Sequence, residues 1–92
     1  MNIQHKETEH HGKFYMSEGD DLRAEIVYAR SGKTLIIEHT EVKEELRGND
    51  FGYDLVEKVV EHARTNGLKV VPVCAFAKAV FEKKKEYGDV LA

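Results

Sequence analysis

One cysteine, one proline and no tryptophan stand in this chain of 92 residues, and each shortage excludes something. A lone thiol, Cys74, can form no internal disulfide, so a disulfide-stapled secreted scaffold is excluded and a reducing, cytoplasmic setting is expected. The scarcity of proline, with no internal repeat and no low-complexity tract, leaves no visible linker or domain boundary. No apolar run reaches the length of a signal-peptide core or a membrane span, so no membrane partner is expected. A basic excess is also missing: 14 Lys and Arg stand against 17 Asp and Glu, for a net charge of -3. Without a broad basic surface to neutralise a phosphate backbone, nucleic acid is not an expected partner.

What is present fits a single small domain over residues 1–92. The chain is 41% hydrophobic and 34% charged, and a chain of this size buries roughly 60 to 65% of its unfolded surface, enough for one core. Residues Met1 to His11 are polar, with His5, His10 and His11 among Lys6, Glu7 and Glu9. Imidazoles close in sequence can chelate a metal, but no complete ligand set with recognisable spacing is present and no metal site is assigned; the alternative is a solvated N-terminal segment. Lys13 to Met16 reads as a short strand ended by the turn-forming cluster Ser17 to Asp21. Leu22, Ala24, Ile26 and Tyr28 then alternate with Arg23, Glu25, Val27 and Ala29, the period of a strand with one face on the core.

Arg30-Ser31-Gly32-Lys33 reads as a hairpin turn, and Thr34 to Val42 as the returning arm. Strict alternation puts Leu35, Ile37, His39 and Glu41 on one face of that arm and Thr34, Ile36, Glu38, Thr40 and Val42 on the other. His39 and Glu41 are then neighbours, either as a surface ion pair or as a proton-accepting pair near a ligand.

Between this arm and the next helical run lies Leu46-Arg47-Gly48-Asn49-Asp50-Phe51-Gly52. A basic residue, two glycines and capping residues ahead of a helix could aim backbone N–H groups at an anion such as a phosphorylated cofactor; the alternative is an ordinary strand-to-helix turn. Phe51, Leu55, Val56, Val59, Val60 and Ala63 recur on one helical face, and Asn66-Gly67 supplies a stop. Leu68 to Val73 is a valine-rich run expected to be a strand covered on both faces. Its Pro72 marks an edge, a strand end or a place where neighbouring strands part. Ala75 to Lys85 favours a second helix with Ala75, Phe76, Ala79 and Val80 on one face. Its lysines either attract phosphates or complement the helix dipole. Tyr87 to Leu91 forms a terminal turn or strand. Three antiparallel strands, a helix, a strand, a helix and a tail make an α+β domain on one mixed sheet.

Four stretches taken together resemble the GNAT N-acetyltransferase superfamily, in particular its short single-domain YjdJ-like subgroup. They are Arg47-Gly48-Asn49-Asp50-Phe51-Gly52, His39-Thr40-Glu41-Val42 before it, Leu68 to Cys74 after the helix, and Glu86-Tyr87 close to the end. The first is similar to the acetyl-CoA signature of that superfamily, a Gln or Arg followed at the fourth place by Gly and at the sixth by Gly or Ala. The resemblance implies a GNAT-like mixed, mostly antiparallel sheet with two main helices, and acetyl-CoA as co-substrate with an unidentified amine as acceptor. It further implies that Val42 and the backbone of Arg47, Gly48, Asn49, Asp50, Phe51 and Gly52 hold pantetheine and pyrophosphate. The strands ending at Val42 and Val73 would part to admit the cofactor, and His39 or Glu41 would take a proton from the attacking amine, directly or through water.

The match departs from the superfamily pattern in two respects, the loop glycine and the proton donor. Asp50 stands where the signature has its first glycine. A carboxylate about 4 Å from a phosphate charge is repelled by about 1 kcal/mol at water-like screening and about 4 kcal/mol at an effective dielectric of 20. Asp50 is also placed to cap the following helix, a contribution of about 1 kcal/mol. Cys74 and Phe81 stand where many members have an Asn and, seven residues on, the Tyr that protonates the departing thiolate. Phe81 has no hydroxyl, and Cys74 is the substitute, as general acid or as a nucleophile carrying the acetyl group; read from the residue alone, it is a small buried apolar side chain. A non-catalytic CoA-binding or protein-interaction module on the same scaffold is the alternative to an enzyme.

Overall fold

The computed structural model describes residues 2–92. The chain begins with a strand the polar N-terminal sequence did not announce: β1, Gln4–Glu7, pairs antiparallel with β2, His11–Glu18, from Gln4 opposite Tyr15 to Glu7 opposite Gly12. All four β1 residues are exposed, so no apolar alternation marks the strand, and backbone pairing to the edge of the sheet supplies its order. In β2 the alternation does hold, with Gly12, Phe14 and Met16 buried.

The third strand, β3 (Asp21–Ser31), runs back antiparallel to β2 and buries Ala24, Ile26 and Tyr28. Gly12 lies directly opposite Tyr28, and a Cβ at Gly12 would collide with the Tyr28 ring and hydroxyl. Only glycine leaves room for that phenol.

The fourth strand, β4 (Thr34–Val42), pairs antiparallel with β3, and its strict alternation fails halfway. Tyr28 faces Ile37, but the preceding residue Val27 faces His39, which leaves Glu38 as an extra residue without a partner. This β-bulge shifts the phase by one. Thr40 and Val42, opposite Ile26 and Ala24, therefore continue the core face of Leu35 and Ile37, while His39 and Glu41 turn to the other side.

Helix α1, Phe51–Asn66, follows a short 3-10 turn at Glu44–Leu46 and buries Leu55, Val56, Val59, Val60 and Ala63 as their spacing led one to expect, with Gly52 buried and Phe51 only half-buried at its start. Gly67, at φ 64°, ends it. The last strand, β5 (Lys69–Pro72), lies parallel to β4, completing the order β1-β2-β3-β4-β5. Only Val70 of β5 is fully buried; Lys69 and Val71, which alternate to the other face, are exposed and half-buried, so the strand is covered on one face, not two.

Helix α2, Ala75–Lys83, buries Ala77, Val80 and Phe81, whereas Phe76 is 38% exposed. Its inward face is thus rotated from the one the Ala75, Phe76, Ala79 and Val80 spacing suggested. A 3-10 turn at Lys85–Asp89 then brings Tyr87 and Val90 into the core, and the tail bridges back to β5 at Val70 and Leu91. The fold is a mixed α+β arrangement, a five-stranded and mostly antiparallel sheet with two helices. No helix among the described residues is long and apolar enough to cross a membrane.

Candidate active site

The parallel pairing of β4 and β5 stops at Ile37 opposite Pro72. Beyond that point the Val73 and Cys74 N–H groups both donate to the Ile37 carbonyl, at 3.0 and 3.1 Å. β4 meanwhile runs on through Glu38 to Val42 with no partner on that side. Pro72, which has no N–H to give to a ladder, is the last paired residue of β5. The two strands therefore splay, and the bulge at Glu38 bends β4 where they separate.

A groove of about 470 Å³ opens from this splay along the N-terminus of α1. Thr40 and Val42 form its sheet side, Leu46, Arg47 and Gly48 its loop side, and Asp50, Phe51 and Gly52 the helix end. Tyr53 and Phe76 close it, with their rings 5.8 Å apart and edge to face. The loop is held from below. Arg23 on β3 pairs with Asp21 at 2.6 Å and with Glu45 at 3.1 Å, and the Lys43 N–H donates to the Arg23 carbonyl. Asn49 does not line the groove; its side-chain amide donates to the Leu46 carbonyl at 3.1 Å and braces the turn.

Asp50 occupies the N-cap position of α1 with φ 60° and ψ 17°, and its side chain makes no capping bond. This corrects the expectation that Asp50 caps the helix. Side-chain capping uses an extended N-cap backbone, whereas this left-handed one does not fold the carboxylate over the first turn. The first intrahelical bond runs from the Asp54 N–H to the Asp50 carbonyl, so the N–H groups of Phe51, Gly52 and Tyr53 have no intrahelical acceptor and are free for an anion. The left-handed backbone also explains why a glycine suits this position, since Asp tolerates the conformation but glycine adopts it without strain. Gly52 has a separate constraint: a Cβ there would come within 2.6 Å of the Phe76 ring.

At the vertex of the splay, Cys74 is half-buried and forms the N-cap of α2. Its Sγ accepts from the Ala77 N–H at 3.4 Å and lies 3.3 Å from Thr40 Oγ1. Phe81 is buried and packs edge to face on Tyr87, 5.8 Å between ring centres. Burial, and next the Glu57 carboxylate to which its hydroxyl donates at 3.4 Å, push the Tyr87 phenol up from its ordinary pKa. Tyr87 points its hydroxyl at α1 and so does not replace the one Phe81 lacks. Lys83 and Lys84 lie with their ammonium groups 5.8 and 5.9 Å from the centre of the Tyr53 ring, placing positive charge beside the helix N-terminus.

The splay and loop thus unite Val42, Arg47, Gly48, Asp50, Phe51 and Gly52, with Cys74 at the vertex. His39 and Glu41 do pair, Nε2 to Oε1 at 3.6 Å, but on the opposite, open face of the sheet, with side chains 53% and 57% exposed. Sequence reasoning passed over Thr40, Tyr53 and Phe76 as groove residues, while Leu46 stood at the head of the stretch it singled out. Thr40 was hidden by the bulge, which no residue pattern in Thr34–Val42 signals.

A mixed sheet that opens between two parallel strands over a helix N-terminus defines a groove-bearing α+β domain suited to an extended anionic ligand. The chain belongs to the GCN5-related N-acetyltransferases: the family model described as GCN5-related N-acetyl-transferase matches residues 13–90. Among solved structures, a GCN5-like N-acetyltransferase candidate from Staphylococcus aureus is 40% identical with a TM-score of 0.78, covering 99% of this chain and 89% of its own. The ribosomal-protein-S18-alanine N-acetyltransferase of Escherichia coli shares the fold at 15% identity and TM-score 0.69, over 84% of this chain and 53% of its own. A crystal structure from Clostridium acetobutylicum that contains acetyl-CoA does so at 16% identity and TM-score 0.65, over 79% and 55%. This chain thus spans about half the length of the two more distant proteins. No curated protein sequence matches it significantly.

Proposed function

We propose that this chain is an acetyl-CoA-dependent N-acetyltransferase acting on an amine. The observation that carries the reading is the splay of β4 from β5 beside an α1 N-terminus whose first N–H groups are unspent. In this reading the backbone from Arg47 to Gly52 and the first turn of α1 take the pyrophosphate, and Arg47 adds its charge. The unpaired edge of β4 at Thr40 and Val42 binds the pantetheine amides as a further strand would.

The thioester then lies at the vertex, beside Cys74. An amine reaching the gap from the open face of the sheet meets the His39–Glu41 pair, which takes its proton as nitrogen attacks the thioester carbon. Collapse of the tetrahedral adduct breaks the C–S bond, and Cys74 passes its thiol proton to the departing CoA thiolate. Positioning of amine and thioester supplies the larger share of the rate.

Incubation with radiolabelled acetyl-CoA and a panel of amines and peptides tests the reading; transfer no greater than the enzyme-free blank across the panel defeats catalysis. Asp50 favours a second reading, a module that binds CoA without chemistry, because its uncapped carboxylate borders the groove. Saturable CoA binding by calorimetry with no turnover is the result that selects it.

A further inference from the structure

We propose that His5, Glu7 and His62 form a divalent transition-metal site, zinc by the chemistry of its donors, that fastens β1 to α1. One ligand atom from each of the three lies within 4.8 Å of the others. Two imidazoles and a carboxylate are a recurrent three-residue zinc set, which leaves a fourth position for water.

The cluster is built from separate elements, with His5 and Glu7 on β1 and His62 near the end of α1. The His5 ring is stacked on Phe14, 4.1 Å away and within 7° of parallel, and meets the His62 ring edge to face at 4.9 Å. Tyr28, buried beneath, touches two of the members: its hydroxyl donates to Glu7 Oε2 at 2.8 Å and lies 2.7 Å from His5 Nε2. A hydroxyl in contact with both side chains is suited to hold them in place for a metal.

The buried ring nitrogen of His62 points into the cluster. His62 Nε2 is buried and faces Glu7 Oε2 at 3.4 Å, an ion-pair distance at which no hydrogen bond of good geometry forms. The other ring nitrogen, Nδ1, faces the Asn66 amide at 3.3 Å, so Nε2 is the one left for a ligand. A cation held between His62 and Glu7 would give this buried nitrogen a full bond in place of that long contact. Zinc bonds of about 2.0–2.2 Å bring tetrahedral ligands to about 3.3 Å from one another. Glu7 and His62 already stand near that distance, and the third ligand atom, on His5, lies within 4.8 Å of both.

The site lies among β1, β2 and α1, apart from the groove, so its test needs no acetyl-CoA. Tag-free protein is titrated with cobalt(II), read by its visible d–d absorption, and zinc is then added in competition. The expected result is a saturable cobalt spectrum of low coordination number that zinc bleaches. The variants H5Q, E7Q and H62Q should each weaken cobalt binding by about tenfold or more, while the H10Q/H11Q double variant binds as the wild type does. Without any variant, the ring nitrogens of His5 and His62 should shift together in long-range nitrogen–proton spectra when zinc is added. No cobalt spectrum in the wild type, binding lost in H10Q/H11Q, or zinc-induced shifts confined to other histidines would overturn the proposal.

Discussion

The hydroxyl of Thr40 and the thiol of Cys74 meet at 3.3 Å across the place where β4 and β5 separate. Thr40 reaches that place only because the bulge at Glu38 rotates it onto the core face. Cys74 reaches it because the chain turns out of β5 into α2 there, with the Ala77 N–H on its sulfur. The pair joins the free edge of one strand to the start of a helix, and its chemistry can be separated from its packing.

Replacing Cys74 by Ala removes the proposed proton donor while keeping a small side chain. kcat for acetyl transfer should fall by a factor of about 100 or more, the usual scale of general acid catalysis, with acetyl-CoA affinity little changed. Thr40→Val, which keeps the shape and loses the hydroxyl, should lower kcat less. Steady-state kinetics beside calorimetry separates the two quantities. Turnover untouched in Cys74→Ala would remove the thiol from the mechanism.

His39 and Glu41 stand on the face away from the groove, so their loss should spare cofactor binding. His39→Ala and Glu41→Gln are expected to reduce kcat/KM for the amine and to leave the Kd for acetyl-CoA within experimental error. A matching loss in cofactor affinity would place the pair on the wrong side of the sheet for its proposed role.

Asp50 offers a test of charge. Asp50→Gly removes a carboxylate from the groove rim and puts glycine at φ 60°, where it fits without strain. CoA binding should tighten by roughly fivefold, the equivalent of about 1 kcal/mol of relieved repulsion. The gain should shrink as salt rises from low to physiological ionic strength, since the group is exposed to screening. Equal affinities in both proteins at low salt would show that the carboxylate points away from the phosphates.

How much of this was legible in the sequence depended on whether side chains or backbone carried the information. The apolar face of α1 and the core alternation Ala24, Ile26, Tyr28 follow from spacing alone, because burial selects the residues. Strand β1 was invisible because all its side chains are exposed and its order comes from backbone pairing. The faces of β4 were misread beyond Ile37 for the same reason: the bulge is a backbone event, and Glu38 does not differ chemically from any other exposed strand residue. Within the groove, Arg47 to Gly52 stood out through glycine spacing, whereas Tyr53 and Phe76 enter it through helix packing that only the folded chain defines.

Gly12 and Tyr28 give a stability prediction with a built-in control. A methyl at Gly12 has nowhere to go except into the fully buried Tyr28 side chain. Gly12→Ala should cost about 1–3 kcal/mol, the usual range for overpacking, read as a lower urea midpoint at unchanged m-value. Gly88 has open space around its Cβ position and no positive φ. Gly88→Ala should change stability by no more than about 0.5 kcal/mol. Equal losses in the two variants would refute the steric account.

Arg64 and Asp89 predict a pH dependence of known sign. Arg64 Nε and Nη2 each donate to an Asp89 carboxylate oxygen at 2.8 Å, and Nη2 also donates to the Glu86 carbonyl at 2.9 Å, tying α1 to the turn that carries Tyr87. The hydrogen bonds from Arg64 hold the Asp89 carboxyl below its ordinary pKa, with the Arg64 charge adding to the effect. A depressed native pKa means the unfolded chain takes up the proton first, so the pair stabilises the fold above the ordinary aspartate range. That contribution is lost as pH falls through the native value. Both partners are on the surface, so the effect is modest and sensitive to salt. Thermal unfolding of wild type and Arg64→Gln should differ at pH 7, converge as the pH drops below about 4, and differ less in high salt. A gap in Tm that stays constant down to the acid limit would assign the role of Arg64 to its bond with the Glu86 carbonyl, which does not titrate.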